Sequence, residues 1–214
     1  LQSNSYISFF TENYKNPDSI EFDDKIFKNT IKTIYNDRQK SLQWSKNNFK
    51  SDKIIIQKID IVGQIPIADG FNSKWIDTTI KQHILNNSLY KIGYKFTVGS
   101  RKVDIIFVVE DDAVINIETY KNYIINIMTW INMANIYSCS SCGKHLKLYL
   151  YMTSLTKHMP KNRWDIISSK EVNSGLSDIC RKKSEIVIFR KEEWFKVFIH
   201  EVFHNYGLDF SVMN

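Results

Sequence analysis

The sequence has little glycine, proline or cysteine, and each shortage excludes a class of protein. Seven glycines and three prolines in 214 residues are too few for long low-complexity linkers. Three cysteines, an odd number, do not suit the disulfide framework of a small secreted protein, so a reducing compartment is expected. No stretch approaches the ~20 apolar residues of a membrane helix, and the first ten residues do not resemble a signal peptide. These features favour a cytoplasmic protein without a membrane segment.

The sequence is rich enough in apolar residues to bury a sizeable core. Apolar residues make up 43% of the chain and aromatic residues 14%, which excludes a chain that is disordered by composition. The net charge of +6 favours contact with an acidic surface only weakly. Basic residues cluster over 38–53, where Trp44 and Phe49 are interleaved, and over 181–183. A solvated surface is the favoured interpretation of these clusters, and single-stranded nucleic acid is the less favoured one.

Periodicity predicts an N-terminal region, residues 1–90, that is mainly helical with one strand. A loop is expected over residues 1–20. Apolar residues at helical spacing predict helices over 21–50 and 74–88. A β-branched run between them, 53–62, predicts a strand.

The remaining residues, 91–214, are predicted to form an α+β region. Gly99-Ser100 joins two strand-like segments in a hairpin. A helical stripe predicts a helix over 114–134, and strands are predicted over 146–151 and 185–189. The polar residues 154–184 between these two strands are predicted to form a long connection. The last helix is expected to begin near Lys191 and to end at Gly207, with Glu192 and Glu193 in its first turn, where acids suit the helix dipole. This order predicts a mixed sheet covered by two helices.

The last predicted helix carries the sequence His200-Glu201-Val202-Phe203-His204. Residues four apart share one face of a helix, so both imidazoles can hold a single ion. Zinc accepts imidazole nitrogen, and a catalytic zinc keeps three protein ligands and a water, whose pKa it lowers to near 7. The carboxylate of Glu201 would act as general base on that water and then donate the proton to the leaving amine. The spacing therefore predicts Zn²⁺ as cofactor; two core histidines with Glu201 in a structural ion pair are the alternative.

These residues resemble the HExxH signature of zincin metallopeptidases, and Gly207 resembles the glycine of the extended metzincin form. The resemblance implies a zincin-like sheet with an active-site helix near the C-terminus and an N-terminal helical extension. The metzincin pattern would place a third histidine at position 210, where this sequence has Phe210. Asp209 is the candidate third ligand. The alternatives are that this ligand is missing or lies beyond Asn214, in which case the catalytic region is truncated here.

The segment 185–207, with the Ile-, Asn- and Lys-rich composition, is also similar to uncharacterised metallopeptidases of large DNA viruses. This implies a viral protein of the host cytoplasm or the virion, with a viral or self-association partner. The zincin resemblance further implies an edge strand that pairs with an extended peptide substrate. The segments 185–189 and 146–151 are the candidates for that strand.

Cys139 and Cys142 form a CxxC pair that resembles half of a zinc ribbon. A structural zinc site needs four ligands, and Cys180, with His145 or His158, could supply the rest. Two free thiols in a loop, or a redox pair or disulfide, are the alternatives.

Three functions are compatible with these patterns. The first is a zinc-dependent peptidase that hydrolyses peptide bonds with a metal-activated water. The second is an inactive zincin-like structural or interaction protein, such as a virion component. The third, weaker hypothesis is a basic nucleic-acid-binding module that uses the CxxC pair.

Overall fold

The computed structural model describes residues 24–110, 116–158, 164 and 166–209. The chain divides into two compact units, Leu1–Lys40 and Ser41–Asn214. In the first unit, the described residues belong to helix α1, Asp24–Asn48, which continues into the second unit. The predicted loop over residues 1–20 lies outside the described residues. Residues 41–90 contribute a strand and apolar side chains to the sheet and its core.

Six strands in the second unit form one mixed sheet. Their bounds are Ile55–Lys58 (β1), Tyr90–Val98 (β2), Arg101–Val109 (β3), His145–Met152 (β4), Gly175–Ser177 (β5) and Lys183–Ile188 (β6). The spatial order is β1-β2-β3-β4-β6-β5. The three strands β3, β4 and β6 are parallel, whereas β2, β1 and β5 each pair antiparallel with their neighbours. The predicted hairpin and the predicted mixed α+β sheet are confirmed.

Helices pack on both faces of this sheet. The remaining helices are α2 (Thr78–Asn87), α3 (Ile117–Tyr137), α4 (Ser169–Val172) and α5 (Trp194–Tyr206). One face of the sheet is covered by α3 and α5, because alternate residues of β3, β4 and β6 point toward them and are fully buried. Each such side chain contributes about 1.5–3 kcal/mol on burial. The opposite face packs against the segment 59–85, which includes α2.

The structure differs from the sequence predictions at the termini of elements and in the polar connection. Helix α5 begins at Trp194 and not near Lys191, so Glu193 is its N-cap residue. The connection over 154–184 contains the short helix α4 and the strand β5. Three residues, two of them Gly and Ser, are too few to show alternation, so periodicity missed this strand.

The edge strand of the sheet is also not where the sequence predicted it. The candidate segments 185–189 and 146–151 fall on β6 and β4, which lie inside the sheet. The edge next to α5 is β5. No helix in the described part of the chain is long and apolar enough to cross a membrane.

Candidate metal centre

Helix α5 is amphipathic, and its polar side carries the two histidines of the HExxH sequence. Trp194, Phe198 and Val202 are buried against the sheet at a spacing of four residues. His200 is exposed and His204 is half-buried on the other side. The helix therefore presents both imidazoles on one face, as the spacing predicts.

Gly207 ends the helix, as predicted, and turns the chain back toward His204. Its φ of 63° lies in the left-handed region, which glycine adopts without a steric penalty. The N–H of Leu208 donates to the carbonyl oxygen of Phe203 at 2.8 Å, which closes the last turn. The N–H of Cys180 donates to the carbonyl oxygen of His204 at 3.3 Å, so the loop before β6 also caps the helix.

The Nε2 atoms of the two imidazoles lie within hydrogen-bond distance of each other. Nε2 of His200 and Nε2 of His204 are 3.1 Å apart, and the rings are perpendicular. With Zn–N bonds of about 2.05 Å, two nitrogens 3.1 Å apart subtend about 98° at the metal, close to a tetrahedral angle. The pair thus has the separation that two ligands of one zinc ion require.

Asp209 contacts the opposite side of the His204 ring. Its Oδ2 atom contacts Nδ1 of His204. In the neutral tautomer with the proton on Nδ1, this carboxylate would accept that proton's hydrogen bond and leave the lone pair of Nε2 free for a metal. The structure therefore places Asp209 behind His204 rather than beside the two converging nitrogens.

Glu201 lies one residue after His200 but points to the sheet side of the helix. Its side chain is buried, and Oε2 accepts a hydrogen bond from the hydroxyl of Ser177 at 2.7 Å. The other oxygen, Oε1, has no hydrogen bond to a described residue.

Gly175 permits the close approach of β5 to α5, because a Cβ there would overlap Val197 and the backbone of β6.

Buried polar groups fix the C-terminal half of α5. Asn205 accepts a hydrogen bond from the hydroxyl of Ser184 and donates one to the carbonyl oxygen of Asp178, both at 3.1 Å. The guanidinium of the buried Arg101 lies 4.9 Å from the ring centroid of Tyr206, a cation–π contact. Sequence reasoning missed these residues, since isolated Asn, Ser and Arg give no periodic signal.

The cysteines do not form a zinc site in the structure. Cys142 and Cys180 are joined in a disulfide, and Cys139 is free and exposed. Because a zinc ligand must be a thiolate, the disulfide removes two of the three predicted ligands. The pairing also joins the CxxC pair to a cysteine 38 residues away rather than closing the CxxC ring. A disulfide is typical of an oxidising environment, so it does not support the expected reducing compartment.

The surroundings of Cys139 lower the pKa of its thiol. Hydrogen bonds from Ser141 are the main cause that lowers the pKa of its thiol, and the charge of Arg101 contributes in the same direction. The guanidinium of Arg101 also donates to the carbonyl oxygens of Cys139 and Cys142, at 2.6 and 3.1 Å. Arg101 therefore holds the CxxC turn against the end of α5.

The candidate metal centre lacks a full ligand set within the described part of the chain. No group of three or more His, Cys, Asp or Glu side chains is arranged there to hold a metal ion. His200 and His204 offer two candidate ligand nitrogens, and the described residues place no third candidate beside them. The chain matches no family model, no curated protein and no solved structure.

Proposed function

We propose that the chain is a zinc-dependent peptidase whose metal is held by His200 and His204. The observation that carries the proposal is the 3.1 Å separation of the two Nε2 atoms, which matches a shared zinc ion. The carboxylate of Asp209 on Nδ1 of His204 supports it, because metal-binding histidines commonly donate their second N–H to such a group. In this arrangement Asp209 orients a ligand instead of binding the metal itself.

Glu201 is the proposed general base. When bound, zinc supplies Lewis-acid polarisation of the scissile carbonyl and acidifies water. Glu201 takes a proton from the attacking water and delivers it to the amine that leaves. The hydrogen bond from Ser177 holds Oε2, and Oε1 is available to accept that proton. A buried carboxylate with one oxygen held by a hydrogen bond loses little conformational freedom when the substrate binds.

The proposed substrate is a peptide in an extended conformation. Strand β5 pairs with β6 on one side, and no other described strand pairs with its outer edge. An extended peptide can add to such an edge through main-chain hydrogen bonds. Ser177 belongs to β5 and contacts Glu201, so a peptide on this edge would lie next to the base.

An inactive zincin-like interaction protein is the second candidate function. The observation that favours it is the absence of a third ligand beside the histidine pair among the described residues. A catalytic zinc normally has three protein ligands. The peptidase proposal therefore requires a third ligand from outside the described residues, whereas the second candidate does not.

The zinc content of the purified chain tests the proposed metal centre. We expect about one zinc per chain by elemental analysis, lost in His200→Ala and in His204→Ala. His145→Ala is the matched control, because this exposed histidine lies on the sheet and away from α5. Zinc that persists in both α5 variants would refute the metal centre.

Glu201→Gln then separates the two candidate functions. This variant keeps the size of the side chain and the acceptor for Ser177 but removes the base. A peptidase loses turnover of a peptide library in Glu201→Gln while keeping its zinc. If the wild-type chain binds zinc and cleaves no peptide, the inactive candidate is favoured.

A further inference from the structure

Two rows of charged side chains cross the sheet on the face opposite to α3 and α5. Strand pairing places Lys102, His145 and Lys183 side by side on β3, β4 and β6. Thr97 on β2 completes this row, and all four side chains are exposed. We call these four residues the basic row. The basic row contains no acidic residue. The sequence gives no periodic sign of the row, because its members come from four separate strands.

The charges of the neighbouring row of side chains cancel one another. It consists of Lys95, Asp104, Lys147 and Glu185, which alternate in charge across the same four strands. Nζ of Lys95 and Oδ2 of Asp104 are 3.0 Å apart. The carboxylate of Glu185 accepts a hydrogen bond from the backbone N–H of Asp69 at 2.7 Å. The acids of this row are thus already engaged and leave the basic row uncompensated.

The other acids near the basic row are also engaged. Asp178 pairs with Arg181 at 3.2 Å and accepts a hydrogen bond from the backbone N–H of Glu185 at 3.0 Å. Lys102 and Lys183 have no ion pair with any described residue. Strands lie about 4.8 Å apart, so the backbones of these two lysines are separated by about 10 Å, with His145 between them.

The basic row lines a concave surface. It borders a cavity of about 1010 Å³. Six Lys and Arg residues and four Asp and Glu residues line the cavity, so the surplus positive charge equals that of Lys102 and Lys183. A cavity of this size can hold several atoms of an extended anionic chain at once.

We propose that the basic row binds single-stranded nucleic acid through its phosphates. Lysine ammonium groups act as point charges for phosphate. The cavity beside the row is also lined by Trp44 and Phe96, whose rings offer stacking faces to bases, and an acidic peptide has no bases to place on them. Stacking on an aromatic face tolerates every base, so the binding is independent of sequence. This inference does not depend on the proposed peptidase function.

Fluorescence anisotropy with a labelled oligothymidylate tests the proposal. We expect the wild-type chain to bind it and Lys102→Gln/Lys183→Gln to bind it more weakly at every salt concentration. Removing two phosphate contacts should reduce the slope of log K against log salt by about 1.4. Lys32→Gln/Lys46→Gln is the matched control, since it removes the same charge from exposed positions of α1 and should leave the slope unchanged.

Two further measurements decide between ligand classes and between surfaces. His145→Glu places an acid in the centre of the row and should weaken binding more than His145→Gln does.

An equal loss in the row variant and in the α1 control would refute the basic row as the site, and so would an unchanged affinity in the row variant. Displacement of the oligonucleotide by polyglutamate at equal charge concentration would overturn the assignment to phosphate. Binding that survives His204→Ala and zinc chelation is expected, because the row lies on the other face from α5.

Discussion

The hydroxyl of Ser177 on β5 donates a hydrogen bond of 2.7 Å to Oε2 of Glu201 on α5. The contact joins the edge strand to the proposed general base. It also explains why the carboxylate of Glu201 is buried on the sheet side while His200, its neighbour in sequence, is exposed. Ser177 is therefore a positioning residue for the proposed reaction.

Ser177→Ala is expected to reduce kcat by about 10- to 100-fold, because a base that is free to rotate is misplaced for proton transfer. KM and zinc content should change little. Ser177→Thr keeps a hydroxyl and should restore most of the turnover. A loss of zinc or of folding in Ser177→Ala, seen by elemental analysis and circular dichroism, would assign a purely structural role to Ser177.

Asp209→Asn is expected to weaken zinc binding by about 10- to 100-fold, the usual effect of removing a carboxylate behind a ligating histidine. The reason is that Asp209 contacts Nδ1 of His204 and so orients Nε2. Competition with a chelator measures the affinity. Asp60→Asn, an exposed side chain near β1, is the control. A loss as complete as that of His204→Ala would instead identify Asp209 as a direct ligand.

Removal of the disulfide is expected to destabilise the second unit. A loop of 38 residues between Cys142 and Cys180 corresponds to about 4 kcal/mol in the chain-entropy model. Urea unfolding of Cys142→Ser/Cys180→Ser should show this loss, and Cys139→Ser should unfold like the wild type. Three titratable thiols in the unfolded, unreduced protein would show that the disulfide does not form.

The sequence predicted those parts of the site that depend on local spacing. The spacing of four positions from His200 to His204 places both on one face of any helix, and Gly207 after an apolar run ends it. The mixed sheet followed from the hairpin turn between the strand-like runs of β2 and β3, from alternation within β4 and from the short apolar run of β6. Zinc itself remains a prediction, because no third ligand stands beside the pair among the described residues.

The parts that sequence reasoning missed depend on contacts between distant segments. Ser177 is 24 positions from Glu201 and lies on a strand of three residues, too short to show a period. The pairing of Cys180 with Cys142 requires the loop before β6 to meet the loop before β4, which spacing alone does not reveal. Asp209 was recognised as a candidate, but the side of the ring that it contacts depends on how Gly207 turns the chain.

The stability of the second unit is expected to fall in alkaline solution, partly through Tyr149. Burial, followed by the negative charges of Glu185, Asp69 and Asp104, raises the pKa of Tyr149 to about 12. An unfolded tyrosine ionises near pH ~10, so the unfolded chain loses this proton first as the pH rises. The stabilisation is complete below pH ~10 and is lost as the pH rises from ~10 to ~12.

Tyr149→Phe removes this contribution, so its free energy of unfolding should decline less steeply from pH 9 to 11 in urea titrations. The decline will not vanish, because burial also raises the pKa of Tyr151 and of Tyr206. Tyr35→Phe removes a hydroxyl from an exposed side chain of α1 and should follow the wild type. Identical pH dependence in Tyr149→Phe and the wild type would mean that Tyr149 ionises equally in the folded and unfolded chains, and the buried, acid-flanked environment of its hydroxyl would be refuted.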